Sequence, residues 1–212
     1  MSNKENLVTK ETALAGRDEK MLITELHFIN QTNLTASKPQ GAKEVLLGLG
    51  CFWGAERVFW QIEGVLTTSV GYSGGFTPNP TYKEVCTGLT GHAEVVRVVF
   101  DPKLVSLEDL LVTFWEKHDP TQGMRQGNDI GTQYRSVIYT ENEEDLAIAE
   151  KSKTAYQHAL DESLRKNITT EIGLINHYYL AETYHQQYLA KNPNGYCGIG
   201  GTGVCFPPSL AE

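Results

Sequence analysis

From Glu44 onwards the sequence carries strand and helix patterns in the order β-α-β-β-α-β, followed by further elements. Runs of consecutive or alternating apolar residues predict strands, and apolar residues three or four apart predict amphipathic helices. The predicted strands are 44–50, 65–72, 93–100, 135–139 and 168–174, and the predicted helices are 51–64, 81–86, 106–118, 143–166 and 179–189. Ser106 with Asp109, and Thr140 with Glu143, predict the caps of the third and fourth helices. This order predicts an α+β two-layer sandwich with a ferredoxin-like split β-α-β core.

The segments on either side of this core differ from it in composition. Residues 1–43 are mostly polar and predict an extension of unassigned function, whereas 44–190 hold the regular pattern of the core. Residues 191–212 are rich in glycine and proline, and they predict an irregular tail that is free to move. Because 212 residues fit one domain better than two, we expect a single domain.

The charge balance limits the partners of the chain. Its formal net charge is −8, so no basic surface favours a nucleic acid or an anionic membrane. No apolar run is long enough to cross a bilayer, and the charged N-terminus lacks the apolar centre of a signal peptide. We therefore expect a cytoplasmic protein that binds neither nucleic acid nor membrane.

The four cysteines are the candidates for chemistry: Cys51, Cys86, Cys197 and Cys205. In a reducing compartment permanent disulfides are disfavoured, which leaves metal binding, redox chemistry or simple burial. The spacing suits zinc poorly, because there is no Cys-x-x-Cys pair. Redox chemistry is favoured, and a zinc-stabilised binding module that uses three of these thiols and a histidine is the alternative from another class.

Cys51 lies where the first predicted strand passes into the first predicted helix. The amide groups and dipole at a helix N-terminus are expected to lower the pKa of its thiol, although free cysteines are also often buried without a function. The GLGCFWG segment could instead indicate a dinucleotide-binding turn, but Trp53 occupies the position where the third glycine is required. Phe52 or Trp53 could line the space around the thiol. The strand pattern does not decide whether Glu94 is solvated or is a buried acid.

The tail cysteines enclose GIGGTGV, a segment flexible enough to bring Cys197 and Cys205 within disulfide distance. A static tail with idle or metal-bound thiols remains the alternative. Cys86, His92 and His185 are interpreted as structural, because Cys86 has no partner at a useful spacing and the histidines fit local bonding and helical packing.

Several long motifs, in order, resemble those of the A-type peptide methionine sulfoxide reductases, over residues 46–208. The motifs are GCFWGAE, GYSGG, NPTYKEVCTGLTGHAE, FWEKHDPTQGMRQGNDIGTQYRS and GYCGIGGTGVC. The resemblance implies reduction of methionine-S-sulfoxide, both in proteins and peptides and as the free amino acid, with thioredoxin as the final reductant. It implies repair of oxidised proteins, and it implies neither a cofactor nor a metal ion.

The same resemblance implies a role for each matching position. Cys51 matches the nucleophile that becomes a sulfenic acid, and Glu94 matches the acid that protonates the sulfoxide oxygen. Cys197 and Cys205 match the first and second resolving cysteines. The positions that match the substrate pocket are Phe52, Trp53, Tyr82, Asp129 and Tyr134.

Overall fold

A computed structural model describes residues 3–23 and 26–207 of the chain, so residues 1, 2, 24 and 25 of the predicted extension and 208–212 of the predicted tail lie outside the described residues. The strands are β1 Lys43–Leu49, β2 Val65–Ser73, β3 Ala93–Phe100, β4 Arg125–Gln126, β5 Asp129–Ile130, β6 Ser136–Thr140, β7 Glu171–Leu174 and β8 Tyr179–Leu180. The helices are α1 Phe52–Phe59, α2 Tyr82–Val85, α3 Leu107–Lys117, α4 Glu143–Ser163 and α5 Tyr188–Lys191.

The architecture is mixed α/β and is built on a six-stranded sheet in the order β7-β6-β1-β3-β2-β8. Only β6 and β7 pair in parallel, and every other neighbouring pair is antiparallel. The strands β4 and β5 form a separate small hairpin. β1 and β3 therefore lie side by side in the middle of the sheet, which places the end of β1 next to the start of β3.

The helices cover one face of the sheet, where most of the apolar core lies. Alternate β1 residues show this, because Val45 and Leu47 join the large core cluster whereas Leu46 joins a small cluster on the opposite face. On the helical side, Trp115 of α3 stacks on Tyr156 of α4 with ring centroids 5.6 Å apart. Phe52, Ala55 and Phe59 of α1 belong to the same core cluster, so the core also holds α1 against the sheet.

The N-terminal extension is attached to α2 by an ion pair. Arg17 donates two hydrogen bonds to the Glu84 carboxylate, at 3.0 and 2.6 Å, and a third to the Asn79 carbonyl at 2.8 Å. Glu84 also closes a capping box with Thr81 at the start of α2. The extension therefore braces the short helix that begins with Tyr82.

Two of the predicted helix boundaries are wrong, whereas the Ser106 and Asp109 capping box of α3 is confirmed. α1 ends at Phe59 and does not continue to residue 64. The predicted Thr140 cap of α4 is also wrong, because Thr140 is the last residue of β6 and the Asn142 side chain accepts the Asp145 N–H instead. Asparagine is among the strongest N-cap residues, and its side chain satisfies an otherwise free amide.

The predicted helix 179–189 is also wrong. The segment contains β8, a 3-10 turn at Thr183–His185 and only then α5. The Gln186 amide bonds both the N–H and the carbonyl of Val70 on β2, and Gln187 takes the left-handed conformation with φ 47°. These side-chain bonds and the left-handed residue interrupt the helix that the apolar spacing favours.

Candidate active site

Gly50 makes the turn that delivers Cys51 to the start of α1. Its φ of +93° is one that other residues rarely adopt, and a Cβ there would lie 2.6 Å from the Gln126 side chain. The chain leaves β1 at Leu49 and begins α1 at Phe52, so Cys51 is the N-cap residue of the helix. The thiol therefore lies at the first turn of α1, half-buried, at the end of a central strand.

Glu94 is the second residue of β3, and its side chain is a buried acid at the same place. Its Oε2 accepts the backbone N–H of Phe52 at 3.1 Å, which ties the carboxyl to the first turn of α1 beside Cys51. Burial raises the pKa of Glu94 to about 8, and the negative charge of Asp129 adds to this, while the Phe52 amide acts in the opposite direction. At neutral pH the carboxyl therefore holds its proton.

The pKa of the Cys51 thiol is raised above its ordinary value, contrary to the prediction from the sequence. Burial is the main cause, and the charge of Glu94 contributes when that group is ionised. The amides of Trp53 and Gly54 do lower the pKa of Cys51, as a helix N-terminus should, but desolvation outweighs them. In the free protein Cys51 is therefore a thiol.

Tyr82, Tyr134 and Asp129 lie close enough to Glu94 for their charges to interact. They come from three separate segments, which are α2, the 3-10 turn Thr132–Tyr134 and β5. Burial raises the pKa of both tyrosines, and the charge of Glu94 raises it further, so both hydroxyls remain protonated donors. The Tyr82 hydroxyl also affects the pKa of the Cys86 thiol one helical turn later, which it lowers while burial raises it, and the sequence did not indicate this partner.

Phe52 and Trp53 form an aromatic wall next to the thiol. Phe52 is buried against Tyr72 with ring centroids 6.0 Å apart, whereas Trp53 remains half-exposed. The Trp53 ring stacks on Tyr188 at a centroid distance of 3.9 Å, and its N–H bonds to Nδ1 of His185 at 2.9 Å. Such a wall suits a small apolar group.

The structure thus brings together a buried acid, a thiol, two tyrosine donors and an aromatic wall. The sequence model of the family described as peptide methionine sulfoxide reductase matches residues 43–202 of this chain, which contain all of these groups. The chain belongs to this family. It is accordingly an oxidoreductase that reduces methionine sulfoxide.

Relatives within the peptide methionine sulfoxide reductase family resemble the chain over almost its whole length. The chain is 67% identical to peptide methionine sulfoxide reductase MsrA of Vibrio parahaemolyticus over 210 residues, which cover 99% of each chain. It is 64% identical to the MsrA of Vibrio vulnificus, covering 99% of this chain and 100% of the relative. Among solved structures, methionine sulfoxide reductase A of Corynebacterium diphtheriae superposes with a TM-score of 0.86 at 44% identity, covering 95% of this chain and 99% of that chain.

Cys197 lies against α1, one turn from Cys51. Its sulfur accepts a hydrogen bond from the Arg57 guanidinium at 3.0 Å, and it would lie 3.1 Å from a Cβ placed on Gly54. Gly54 lies in the first turn of α1, three residues after Cys51, so the tail reaches the same end of the helix as the thiol. The sequence did not predict this contact, because nothing distinguishes Arg57 from any other basic residue on an amphipathic helix.

Cys205 is exposed and lies farther along the docked tail. On either side of it, the Tyr156 hydroxyl hydrogen-bonds Thr202 at 2.9 Å and the Val204 carbonyl at 3.0 Å, and the Phe206 N–H bonds Glu116 at 2.7 Å. The described part of the tail is thus packed on α3 and α4 in this conformation.

Within 3–23 and 26–207, no three His, Cys, Asp or Glu side chains are arranged to hold a metal ion. Over those residues, too, no helix combines the length and apolar character needed to cross a membrane.

Gly54→Ala is predicted to loosen the tail. Its Cβ would lie 2.5 Å from Ile199 Cγ1 and 3.1 Å from the Cys197 sulfur, so the tail must shift, while alanine itself favours the helix. Hydrogen exchange of the backbone amides at 196–204 should become faster. Gly200→Ala is the matched control, because its Cβ meets nothing within 4 Å. Equal exchange in the two variants would show that Gly54 does not make room for the tail.

Proposed function

We propose that this enzyme reduces methionine-S-sulfoxide, in proteins and as the free amino acid, through a sulfenic acid on Cys51. The observation that carries the proposal is the buried Glu94 carboxyl, protonated at neutral pH and bound to the Phe52 N–H beside the Cys51 thiol. A sulfoxide is a poor electrophile at sulfur until its oxygen receives a proton, and a positioned acid contributes about 10²–10⁴-fold.

In the first step Glu94 gives its proton to the sulfoxide oxygen, to which Tyr82 and Tyr134 donate hydrogen bonds. The Cys51 sulfur attacks the substrate sulfur, and the thiol proton passes to the Glu94 carboxylate. This attack forms a bond between the two sulfurs. The protonated oxygen then moves to the Cys51 sulfur, so that a sulfur–oxygen bond to Cys51 forms as the sulfur–oxygen bond of the substrate and the bond between the two sulfurs break. Methionine leaves, and Cys51 becomes a sulfenic acid. Two electrons pass from the Cys51 sulfur to the substrate sulfur. Phe52 and Trp53 enclose the substrate methyl group, and Asp129 borders the same pocket.

The tail then regenerates the thiol. The Cys197 thiol attacks the sulfenic sulfur, water leaves, and a Cys51–Cys197 disulfide forms. Cys205 next attacks Cys197, which releases Cys51 and leaves a Cys197–Cys205 disulfide for the dithiol of thioredoxin to reduce. The place of Cys197 beside α1 and the exposure of Cys205 support this order. The tail must leave the contacts that Tyr156 and Glu116 make in the docked conformation.

We further infer that the core, residues 44–190, is a ferredoxin-like split β-α-β unit within a single domain. The antiparallel order β6-β1-β3-β2, with α1 and α3 as the connections, supports this. Repair of oxidised proteins in the cytoplasm is the corresponding biological role.

Cys51→Ser should abolish reduction, because a hydroxyl is a far weaker nucleophile than a thiol-derived sulfur. Methionine formed from an S-sulfoxide peptide with dithiothreitol, measured by mass, tests this. Cys86→Ser should keep the chemical step near the wild-type rate, because Cys86 takes no part in the proposed steps. Substantial turnover by Cys51→Ser would remove Cys51 from its role.

The rate of the first step should fall as pH rises through about 8, because Glu94 then loses the proton that it donates. Glu94→Gln keeps a hydrogen-bond donor but cannot transfer a proton, so single-turnover reduction should slow by about 10²-fold. The same variant should also lose this decline with pH. If the decline persists unchanged in Glu94→Gln, another group is the acid.

Without external reductant, wild type should end as the Cys197–Cys205 disulfide after forming methionine. Cys205→Ser should stop at Cys51–Cys197 and turn over slowly with thioredoxin, since that disulfide is shielded in the site. Cys197→Ser should leave Cys51 as a sulfenic acid that dithiothreitol still reduces. Peptide mapping of the oxidised proteins identifies each bond. A Cys51–Cys86 product, or full thioredoxin turnover by Cys205→Ser, would contradict the order.

A further inference from the structure

Two residues of the segment that follows β8 hold the indole of Trp53. His185, at the end of the 3-10 turn, accepts its N–H on Nδ1 at 2.9 Å. Tyr188, at the start of α5, stacks on its face with ring planes only 18° apart. One edge and one face of the indole are thereby fixed by residues three apart in the chain.

His185 is completely buried and lies among the aromatic rings next to the thiol. Its ring lies 5.0 Å from that of Phe52, 4.5 Å from that of Tyr82 and 5.7 Å from that of Trp53, measured between centroids. A single imidazole therefore contacts three of the residues that surround the proposed substrate, although the sequence pattern indicated only helical packing.

The hydrogen bond fixes the protonation state of this imidazole. Because Nδ1 accepts a proton from Trp53, His185 is neutral and carries its own proton on Nε2. Burial lowers the pKa of His185 to about 4, which is consistent with this state at physiological pH. Among the described residues Nε2 has no hydrogen-bond partner, and Glu182 Oε2 is 3.9 Å away.

Packing alone does not explain a histidine at this position. A buried polar group without a partner costs free energy, and an apolar ring of similar size would fill the space without that cost. The one polar contact that an apolar ring could not supply is the acceptor for the Trp53 N–H.

We propose that His185 is a positioning residue that fixes the Trp53 indole as a wall of the methyl pocket and so sets the preference for methyl over larger sulfoxides. The inference rests on the role proposed above for Trp53. A fixed wall limits the space for one further methylene, whereas an indole without its acceptor can turn and enlarge the pocket.

Two substitutions separate the acceptor from the packing. His185→Asn places an amide oxygen close to the position of Nδ1, whereas His185→Gln places its amide near Nε2. With dithiothreitol as reductant, kcat and KM are measured for methionine sulfoxide and for its S-ethyl homologue, ethionine sulfoxide. His185→Gln should raise KM for the methyl substrate and reduce the methyl-over-ethyl ratio of kcat/KM by about tenfold. His185→Asn should retain most of that ratio.

A double-mutant cycle tests whether His185 acts through Trp53. In the Trp53→Phe background no N–H remains to be accepted, so His185→Gln should change the ratio no further. Thermal unfolding checks that each variant folds, and His185→Phe, which keeps a ring without an acceptor, replaces His185→Gln if that variant does not fold.

The outcomes separate this inference from the proposed function. Equal losses in the Asn and Gln variants, an unchanged ratio in the Gln variant, or independent effects in the cycle would overturn the positioning role while wild type remains active. Failure of wild type to reduce either sulfoxide would instead overturn the proposed function.

Discussion

The hydrogen bond from the Phe52 N–H to the Glu94 carboxyl joins the two halves of the site. It exists because β1 and β3 are neighbours, so that the helix following β1 begins beside the first residues of β3. The surrounding core buries Glu94 fully and the Cys51 thiol in part, and desolvation then favours the neutral forms of the acid and of the thiol. The proposed chemistry needs this combination, because a solvated glutamate would have released its proton at neutral pH.

The sequence predicted the elements whose signal is local. The strand-to-helix position of Cys51 and the cap of α3 follow from short patterns, and the structure contains both. The face of Glu94 could not be predicted, because β3 is buried on both faces and its apolar residues do not alternate cleanly. The prediction of a helix over 179–189 was wrong for a related reason. The conformation of this segment depends on the hydrogen bonds between the Gln186 side chain and the Val70 backbone. Val70 is distant in the sequence, so the spacing of apolar residues cannot predict these bonds.

Parts of the chain far from the central strands complete the site. The extension holds α2 through Arg17, the segment after β8 holds Trp53 through His185, and the tail lies on α1 through Cys197. The two central strands thus place the proposed reacting pair, Cys51 after β1 and Glu94 in β3, whereas residues from other parts of the chain hold the groups around it. Precision in the surrounding groups depends on contacts formed only when the whole chain has folded.

The raised pKa of Cys51 also affects how fast reagents in solution can react with the resting enzyme. Peroxides and alkylating agents react with thiolates and much more slowly with thiols, and the raised pKa keeps Cys51 in the thiol form. An acid that is placed to protonate a bound sulfoxide does not activate these reagents. A protein that works during oxidative stress is surrounded by such reagents. In the proposed mechanism, the partial burial that raises the pKa of Cys51 would slow its reaction with oxidants in solution and reserve the thiol for an oxygen that arrives on a bound substrate.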